Sequence, residues 1–391
     1  MPTKLSIISG SNGKMIPFNR PTLPAGAIEF MTEAFRSGKV SGDGPFSRRC
    51  EEFFANRYGV PRCLMTTSCT DALELAALLC RIEIGDEVIL PSFTFVSTAN
   101  AFALRGAKLV FSDSLPDHPN LDTAEVAALV TTRTRAIVPV HYAGVSVDMD
   151  PILELSRKYD LFVVEDAAQA VESRYWGRPL GTLGCFGAYS FHETKNVHCG
   201  EGGLLAINNP DFVGRAEILR EKGTNRSAYF RGEVDKYGWV DIGSSFLPSD
   251  ILSAILWAQI AHLTEITERR IALWERYQLG LADLESAGHA RLPVIPRFAV
   301  HNGHAFYLVL NDDTARTRLL AHLRANGILA VFHYQSLHAS AYFADKHDGR
   351  PLPNSDRFSN RLVRLPLFHD LTEIEQTRVI ASVLEFFGMA P

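Results

Sequence analysis

Between about residue 60 and residue 210, short apolar runs alternate with polar turns and longer mixed stretches. The runs occupy 62–66, 87–90, 108–111, 135–140, 161–164, 187–191 and 203–207. They are apolar throughout instead of alternating, the pattern of strands buried on both faces. The stretches at 70–79, 98–104, 123–129 and 149–159 read as helices between them. Strands alternating with helices predict an α/β fold whose mostly parallel, seven-stranded sheet is sandwiched by helices. After Asn209 the rhythm changes. A helix over 210–221 leads into a polar, aromatic and glycine-rich stretch, 223–250, too long for an ordinary connection and therefore expected to be functional or covered by a partner. A long helical pattern over 250–285 comes next, and then short strands at 305–310 and 330–333 mix with helices at 314–326 and 373–387. These changes divide the chain into a flexible polar extension (1–14), a large α/β domain (15–269) and a smaller C-terminal α+β domain (270–391), on which the N-terminal segment is expected to pack.

Composition narrows the choice of partners. The formal net charge is −5 over 391 residues, with both signs interspersed and no basic stripe, which argues against nucleic acid or anionic lipid as the main partner. No apolar run approaches the roughly 18 residues of a membrane span. Residues 1–14 lack the apolar centre of a signal peptide and precede a second plausible start at Met15. The 6 cysteines form no CxxC pair, and there is no HExxH, so neither a metal site nor a disulfide scaffold is expected. Together these features predict a cytoplasmic protein with reduced thiols.

In an open parallel sheet, ligands bind at the carboxyl ends of the strands. No GxGxxG succeeds the first run, which weakens a dinucleotide reading. In its place Thr66-Thr67-Ser68-Cys69-Thr70 opens a helix. Small hydroxyl residues there suit a phosphate through free amides and the helix dipole, and suit an ordinary N-cap equally well. After 161–164 come Glu165 and Asp166, of which only one can face the cleft, because side chains alternate along a strand. That disfavours a metal pair and favours one working carboxylate, with a helix N-cap at Asp166 as the alternative. Lys195 comes after a buried run and beside Gly200, Gly202 and Gly203. Most lysines are solvated surface cations, so this position has meaning only in combination with the others.

The combination is a phosphate-type helix start, aromatic Phe93 and Phe95 on one loop, an acid at a strand end and a lysine after the next strand. Pyridoxal 5'-phosphate needs this set: an amine to condense with its aldehyde, a carboxylate for its ring nitrogen, donors for its phosphate and a flat apolar partner for its ring.

The sequence from Pro17 onward resembles the DegT/StrS sugar-nucleotide aminotransferases, which are fold-type I pyridoxal phosphate enzymes. The resemblance rests on Gly42-Asp43-Gly44, Pro91 to Thr98, Pro139 to Gly144, Glu165 to Gln169, Ser190 to Asn196, Glu201 to Gly203 and Arg220 to Arg226. It implies that Lys195 is the amine bonded to the cofactor and the proton shuttle, and that Asp166 partners the ring nitrogen. Gln169 would lie near the phenolic oxygen, Phe95 on the ring, and Ser68, Cys69 and Ser190 around the phosphate. It further implies a homodimer in which 225–239 covers the neighbour's cleft, bringing Asn225, Arg226 and Arg231 to a nucleotide diphosphate, with His333 and Tyr334 facing substrate. Leu247 stands where many relatives have Asn. The resemblance looks especially close to members that transfer an amino group from L-glutamate to C4 of dTDP-4-keto-6-deoxyglucose for surface polysaccharides, with the galactose configuration favoured. The alternatives are a 3-keto acceptor or glucose configuration, a sugar dehydratase, disfavoured because Lys195 is intact, and a non-catalytic cofactor-binding regulator.

Overall fold

The computed structural model describes residues 15–390, so the expectation for 1–14 lies outside the described residues. The seven apolar runs become seven strands: β1 (Arg62–Thr66), β2 (Glu87–Pro91), β3 (Lys108–Ser112), β4 (Thr134–Ile137), β5 (Phe162–Asp166), β6 (Phe186–Ser190) and β7 (Gly203–Ile207). They form one sheet in the order β1-β7-β6-β5-β4-β2-β3. The pairings from β6 to β3 are parallel, and β7 runs antiparallel to both β6 and β1. Both faces are covered, one by a cluster that includes Phe54, Ile89 and Leu204, the other by one that includes Leu73, Phe102 and Leu205. This explains why the strands read as continuous apolar runs.

Several boundaries differ from the pattern for identifiable reasons. β4 ends at Ile137, not Val140, because Pro139 has no amide to donate to a ladder. β5 extends through Asp166, whose amide donates to the Pro139 carbonyl at 2.9 Å, and no helix begins there, so Asp166 is a strand end and not an N-cap. The helical pattern over 250–285 breaks into Asp250–Ala261, Leu263–Gly280 and Ala282–Ser286 at His262 and Leu281. The long stretch 223–250 is not structureless: it carries the short helix Arg226–Phe230 and is cross-braced by bridges from Thr224 to Trp239 and from Glu221 to Ser245.

Two helices, Ala27–Arg36 and Pro45–Tyr58, go beyond the elements the pattern predicts. The second is capped from a distance. Asp250 is fully buried and accepts from the amides of Phe46 (3.2 Å) and Ser47 (2.7 Å) and from Ser47 Oγ (2.8 Å). Gly44 makes room for it, since a Cβ there would lie 2.2 Å from the carboxylate carbon. Both helices pack on Asp250–Ala261, and it is the segment before them that joins the C-terminal unit, Ile16 bridging to Ile328, Arg20 lying over the Phe368 ring and Thr22 donating to Asp370.

That unit has its own core and an antiparallel four-stranded sheet in the order Ala290–Arg291, Tyr307–Leu310, Leu362–Arg364, Val331–Phe332. Helix Leu263–Gly280 runs from the large core at Ile266 to the small one at Leu273. No described helix is long and apolar enough to cross a membrane.

Candidate active site

The carboxyl ends of β1, β5 and β6 open onto a cavity of about 600 Å³, closed on the far side by the small sheet. Nine residues singled out in the sequence line it: Ser68, Cys69, Phe95, Asp166, Gln169, Ser190, Lys195, His333 and Tyr334.

The helix Cys69–Leu79 starts at the cavity wall. Ser68 caps it, its Oγ accepting from the Asp71 amide at 3.1 Å. The amides of Cys69 and Thr70 are first-turn groups with no helical carbonyl to bind, at the positive end of the dipole. Across the sheet edge, Gly203 pairs with both Thr66 and Ser190. A Cβ on Gly203 would come within 2.3 Å of Ser68 backbone and 2.5 Å of the Cys69 nitrogen, so only glycine lets this cradle form.

Glu165 and Asp166 divide as strand alternation requires. Glu165 turns away and is fully buried, accepting from the amides of Gly181 (2.7 Å), Leu183 (2.6 Å) and Gly184 (2.7 Å). His141 Nδ1 accepts from the Val147 amide, so its Nε2 carries the proton and donates to Glu165 at 2.9 Å. Asp166 faces the cavity. Thr98 Oγ1 donates to one of its oxygens at 2.7 Å and the Ala168 amide to the other at 3.1 Å, which fixes the carboxylate plane.

Lys195 lies in the turn after β6, its amide donating to the His192 carbonyl at 2.9 Å, and its ammonium has no ion-pair partner among the described residues. Burial pulls this ammonium below the ordinary lysine range, with Arg364 acting in the same direction and Asp166 opposing it. Beside it, His304 Nδ1 meets Asn196 Oδ1 at 2.9 Å, and burial keeps the ring neutral by pulling its pKa down. Gln169 Oε1 accepts from the Ala143 amide (2.6 Å), while its Nε2 donates to Tyr334 Oη (3.1 Å). Phe95 is 53% exposed, with its ring 6.0 Å from that of Tyr334. A large apolar ring open to the cavity offers a flat partner to a planar ligand.

Asn225, Arg226 and Arg231 do not line this cavity. Asn225 Oδ1 accepts from the Gly238 amide (2.8 Å), Arg226 pairs with Glu221 (3.2 Å), and Arg231 pairs with Glu217 (2.9 Å) and Glu233 (2.6 Å). His338, close in sequence to His333 and Tyr334, meets the buried Ser92 Oγ at 2.7 Å. Conversely, sequence reasoning misses the roles of Thr98, His304 and Arg364. Thr98 ends the Pro91 to Thr98 motif, and Arg364 ends an apolar run, Leu362–Arg364, short enough to escape notice.

The donor set fits pyridoxal phosphate: an amine with depressed basicity, one oriented carboxylate, a glycine-backed cradle of free amides and hydroxyls, and an exposed aromatic face. Lys195 would hold the aldehyde end, Asp166 the ring nitrogen, and Ser68, Cys69 and Ser190 the phosphate.

A family model described as the DegT/DnrJ/EryC1/StrS aminotransferase family matches residues 23–384. Among solved structures, the chain is similar to the aminotransferase TlmJ from Streptoalloteichus hindustanus, with 32% identity, 96% of this chain and 99% of that one covered, and a TM-score of 0.88. It is similar to DesV from S. venezuelae, with 32% identity, 97% and 100% covered, and a TM-score of 0.88. It shares its fold with Spr1654 from Streptococcus pneumoniae in the PLP form, with 23% identity, 95% and 98% covered, and a TM-score of 0.87.

Proposed function

The chain belongs to the DegT/DnrJ/EryC1/StrS aminotransferase family, and from that premise we propose that it uses pyridoxal 5'-phosphate to move an amino group from L-glutamate to C4 of dTDP-4-keto-6-deoxyglucose. The product is a dTDP-4-amino-4,6-dideoxyhexose, in galactose configuration, for surface-polysaccharide synthesis in the cytoplasm. The cofactor supplies an aldehyde that takes up the amino group and a ring that accepts the electron pair left when a proton departs.

The protein's part is positioning and proton transfer. Lys195 is the catalytic amine. Its depressed basicity raises the neutral fraction available to take a proton from the α-carbon of glutamate and return one to C4 of the sugar. Asp166, held by Thr98 and Ala168, would keep a positive charge on the ring nitrogen. Gln169 would serve the phenolic oxygen, Phe95 the ring face, and Ser68, Cys69 and Ser190 the phosphate. Tyr334 and His333 close the substrate side. The observation that carries the reading is the meeting of Lys195, Asp166 and the Ser68–Cys69 cradle in one cavity from three different strand ends.

A homodimer completes the site in this reading. Residues 225–239 reach the neighbour's cleft, where Asn225, Arg226 and Arg231 meet the nucleotide diphosphate. Its support is the apolar surface the segment leaves open, with Trp239 82% and Phe230 69% exposed.

The test is the visible spectrum of the purified protein before and after glutamate, then after the 4-keto-6-deoxy sugar nucleotide, with NMR of the product. A band lost with glutamate and restored by the sugar, with an axial C4 amine, is expected. An equatorial amine or turnover only with a 3-keto sugar would correct the substrate assignment, and a band indifferent to every donor would favour a non-catalytic role.

A further inference from the structure

The buried histidines of this chain use their ring nitrogens in different ways. His141 spends both, Nδ1 on the Val147 amide and Nε2 on Glu165. His118 takes the Asn120 amide on Nδ1 at 3.1 Å, and its Nε2 is sealed away without a partner. His304, only 3% exposed, does neither, and it lines the active-site cavity.

Two buried asparagines decide where its proton lies. Asn302 Nδ2 donates to the carbonyls of Gln169 (2.9 Å) and Val171 (2.8 Å), which leaves Oδ1 to accept from the His304 amide at 3.0 Å. Asn196, next in sequence to Lys195, donates through Nδ2 to the Asn302 carbonyl at 2.9 Å. Its Oδ1 can only accept, and it stands 2.9 Å from His304 Nδ1, so Nδ1 carries the proton. Arg270 holds the His304 carbonyl at 2.7 Å, which fixes the residue from its other end. Burial, with Lys195, Arg364, Arg270 and His333 adding to it, holds His304 well below the ordinary histidine range, so the ring is neutral.

A neutral ring protonated on Nδ1 presents a lone pair on Nε2. That nitrogen has no partner among the described residues, yet it is not sealed as His118 Nε2 and His198 Nδ1 are; the space beside it is the cavity. A desolvated acceptor left without a donor is costly, and a ligand that brings one removes the cost. The charge of Lys195 is felt at His304, and Asn196 ties the ring to the turn that carries this lysine. The lone pair therefore stands beside the carbon on which Lys195 acts, and the donor it meets belongs to a neighbouring atom. On a 4-keto-6-deoxyhexose, C5 bears a methyl group and the ring oxygen, neither of which donates, whereas C3 bears a hydroxyl.

We propose that His304 Nε2 accepts a hydrogen bond from the sugar hydroxyl next to the reacting ketone, the C3 hydroxyl of a 4-keto sugar, and so selects acceptors that carry it. The inference rests on the sugar aminotransferase reading above and adds a specificity-determining residue to it. The two asparagines are positioning residues, holding the ring so that its bare nitrogen faces the cavity.

Isothermal titration of the cofactor-loaded protein with dTDP-6-deoxygalactose and with its 3-deoxy analogue tests this apart from turnover, since neither sugar has a ketone. Wild type should bind the hydroxylated sugar about 10-fold more tightly, the size of one neutral hydrogen bond. His304→Phe should bind both alike, His304→Gln should keep part of the preference, and dTDP itself should bind equally to all three. Where His304→Phe fails to fold or load cofactor, judged by circular dichroism and the visible band, His304→Gln carries the comparison. A wild type that binds neither sugar or is indifferent to the hydroxyl, or a preference undiminished in the variant that folds, overturns the proposal. A shift in the pH at which the visible band converts, with the preference intact, also overturns it and assigns His304 to Lys195. A preference lost with His304 in a protein that moves no amine to any keto sugar sustains the site and sinks the transamination reading instead.

Discussion

The cleft and the 223–250 excursion both carry cations, and the two regions treat them in opposite ways. In the cleft, Lys195 and Arg364 are half-buried with no described carboxylate in contact, and burial lowers the basicity of both. On the excursion, Arg226 and Arg231 remain well exposed and are neutralised by Glu221, Glu217 and Glu233. Uncompensated charge at the end of a rigid strand is poised for a ligand that arrives, while compensated charge on the surface must exchange a partner before it can bind one. The same sequence signal, a basic residue near a glycine-rich turn, therefore stands for two physical situations that only packing separates.

The strongest way to break this comparison is at Lys195. Lys195→Ala should lower turnover by at least about 10³-fold, since a positioned proton carrier and nucleophile are lost together. The melting temperature should hold or rise, because removing a desolvated ammonium relieves a cost. Substantial transamination by the variant, measured as 2-oxo acid formed, would remove Lys195 from its role.

A second contrast lies between adjacent acids. Glu165→Gln should destabilise the fold by about 2–4 kcal/mol, because a buried carboxylate accepting three amides and a histidine proton loses charge and acceptor capacity together. Asp166→Asn should instead leave denaturant stability nearly intact and cost rate. Urea melts beside steady-state rates separate the two, and an Asp166 variant that unfolds while the Glu165 variant merely slows would invert the assignment.

Histidines extend the rule about uncompensated burial. Burial pulls His301 down to about 4 and His118 to about 3. Both folded values lie below the ordinary value of about 6.5 in the unfolded chain, so the unfolded state binds more protons between them. Stability should be flat above about pH 6.5, fall as pH drops through about 4 for His301 and about 3 for His118, and level off below. Melting temperature against pH should show the decline, and His301→Gln should flatten its upper part. An unchanged profile in that variant would show that His301 is not desolvated.

The smallest effect is expected on the excursion. Arg226→Ala and Arg231→Ala should each change stability by about 0–1 kcal/mol, as exposed pairs do. A rise in KM for the sugar nucleotide with glutamate KM unchanged would show that these arginines leave their acids to reach a neighbour's cleft. No change in either would confine them to the surface of their own subunit.

Much of the site is legible in the sequence because its parts sit at the ends of buried strands. Ser68, Asp166 and Lys195 each succeed or end an apolar run, and alternation alone predicts that Glu165 and Asp166 face apart. The illegible remainder depends on contacts between distant segments. The helix Pro45–Tyr58 is capped by Asp250, some two hundred residues later, so its start carries no local signal beyond Pro45. Thr98 becomes meaningful through the carboxylate it orients, and Arg364 through the absence of an acid around it, which no spacing encodes. Arg226 and Arg231 stand out as basic residues, yet their acids lie on the preceding helix and on their own loop, and only the folded chain brings the two signs together.

The most direct test of the central claim is to follow the nitrogen. Purified protein loaded with cofactor would be given ¹⁵N-labelled glutamate and dTDP-4-keto-6-deoxyglucose, and the sugar nucleotide product analysed by mass spectrometry and NMR. The account predicts ¹⁵N bonded at C4 of the sugar, one nitrogen per 2-oxoglutarate released, with no label transferred by Lys195→Ala. A sugar recovered unaminated while glutamate is consumed, or label at another carbon, would contradict it.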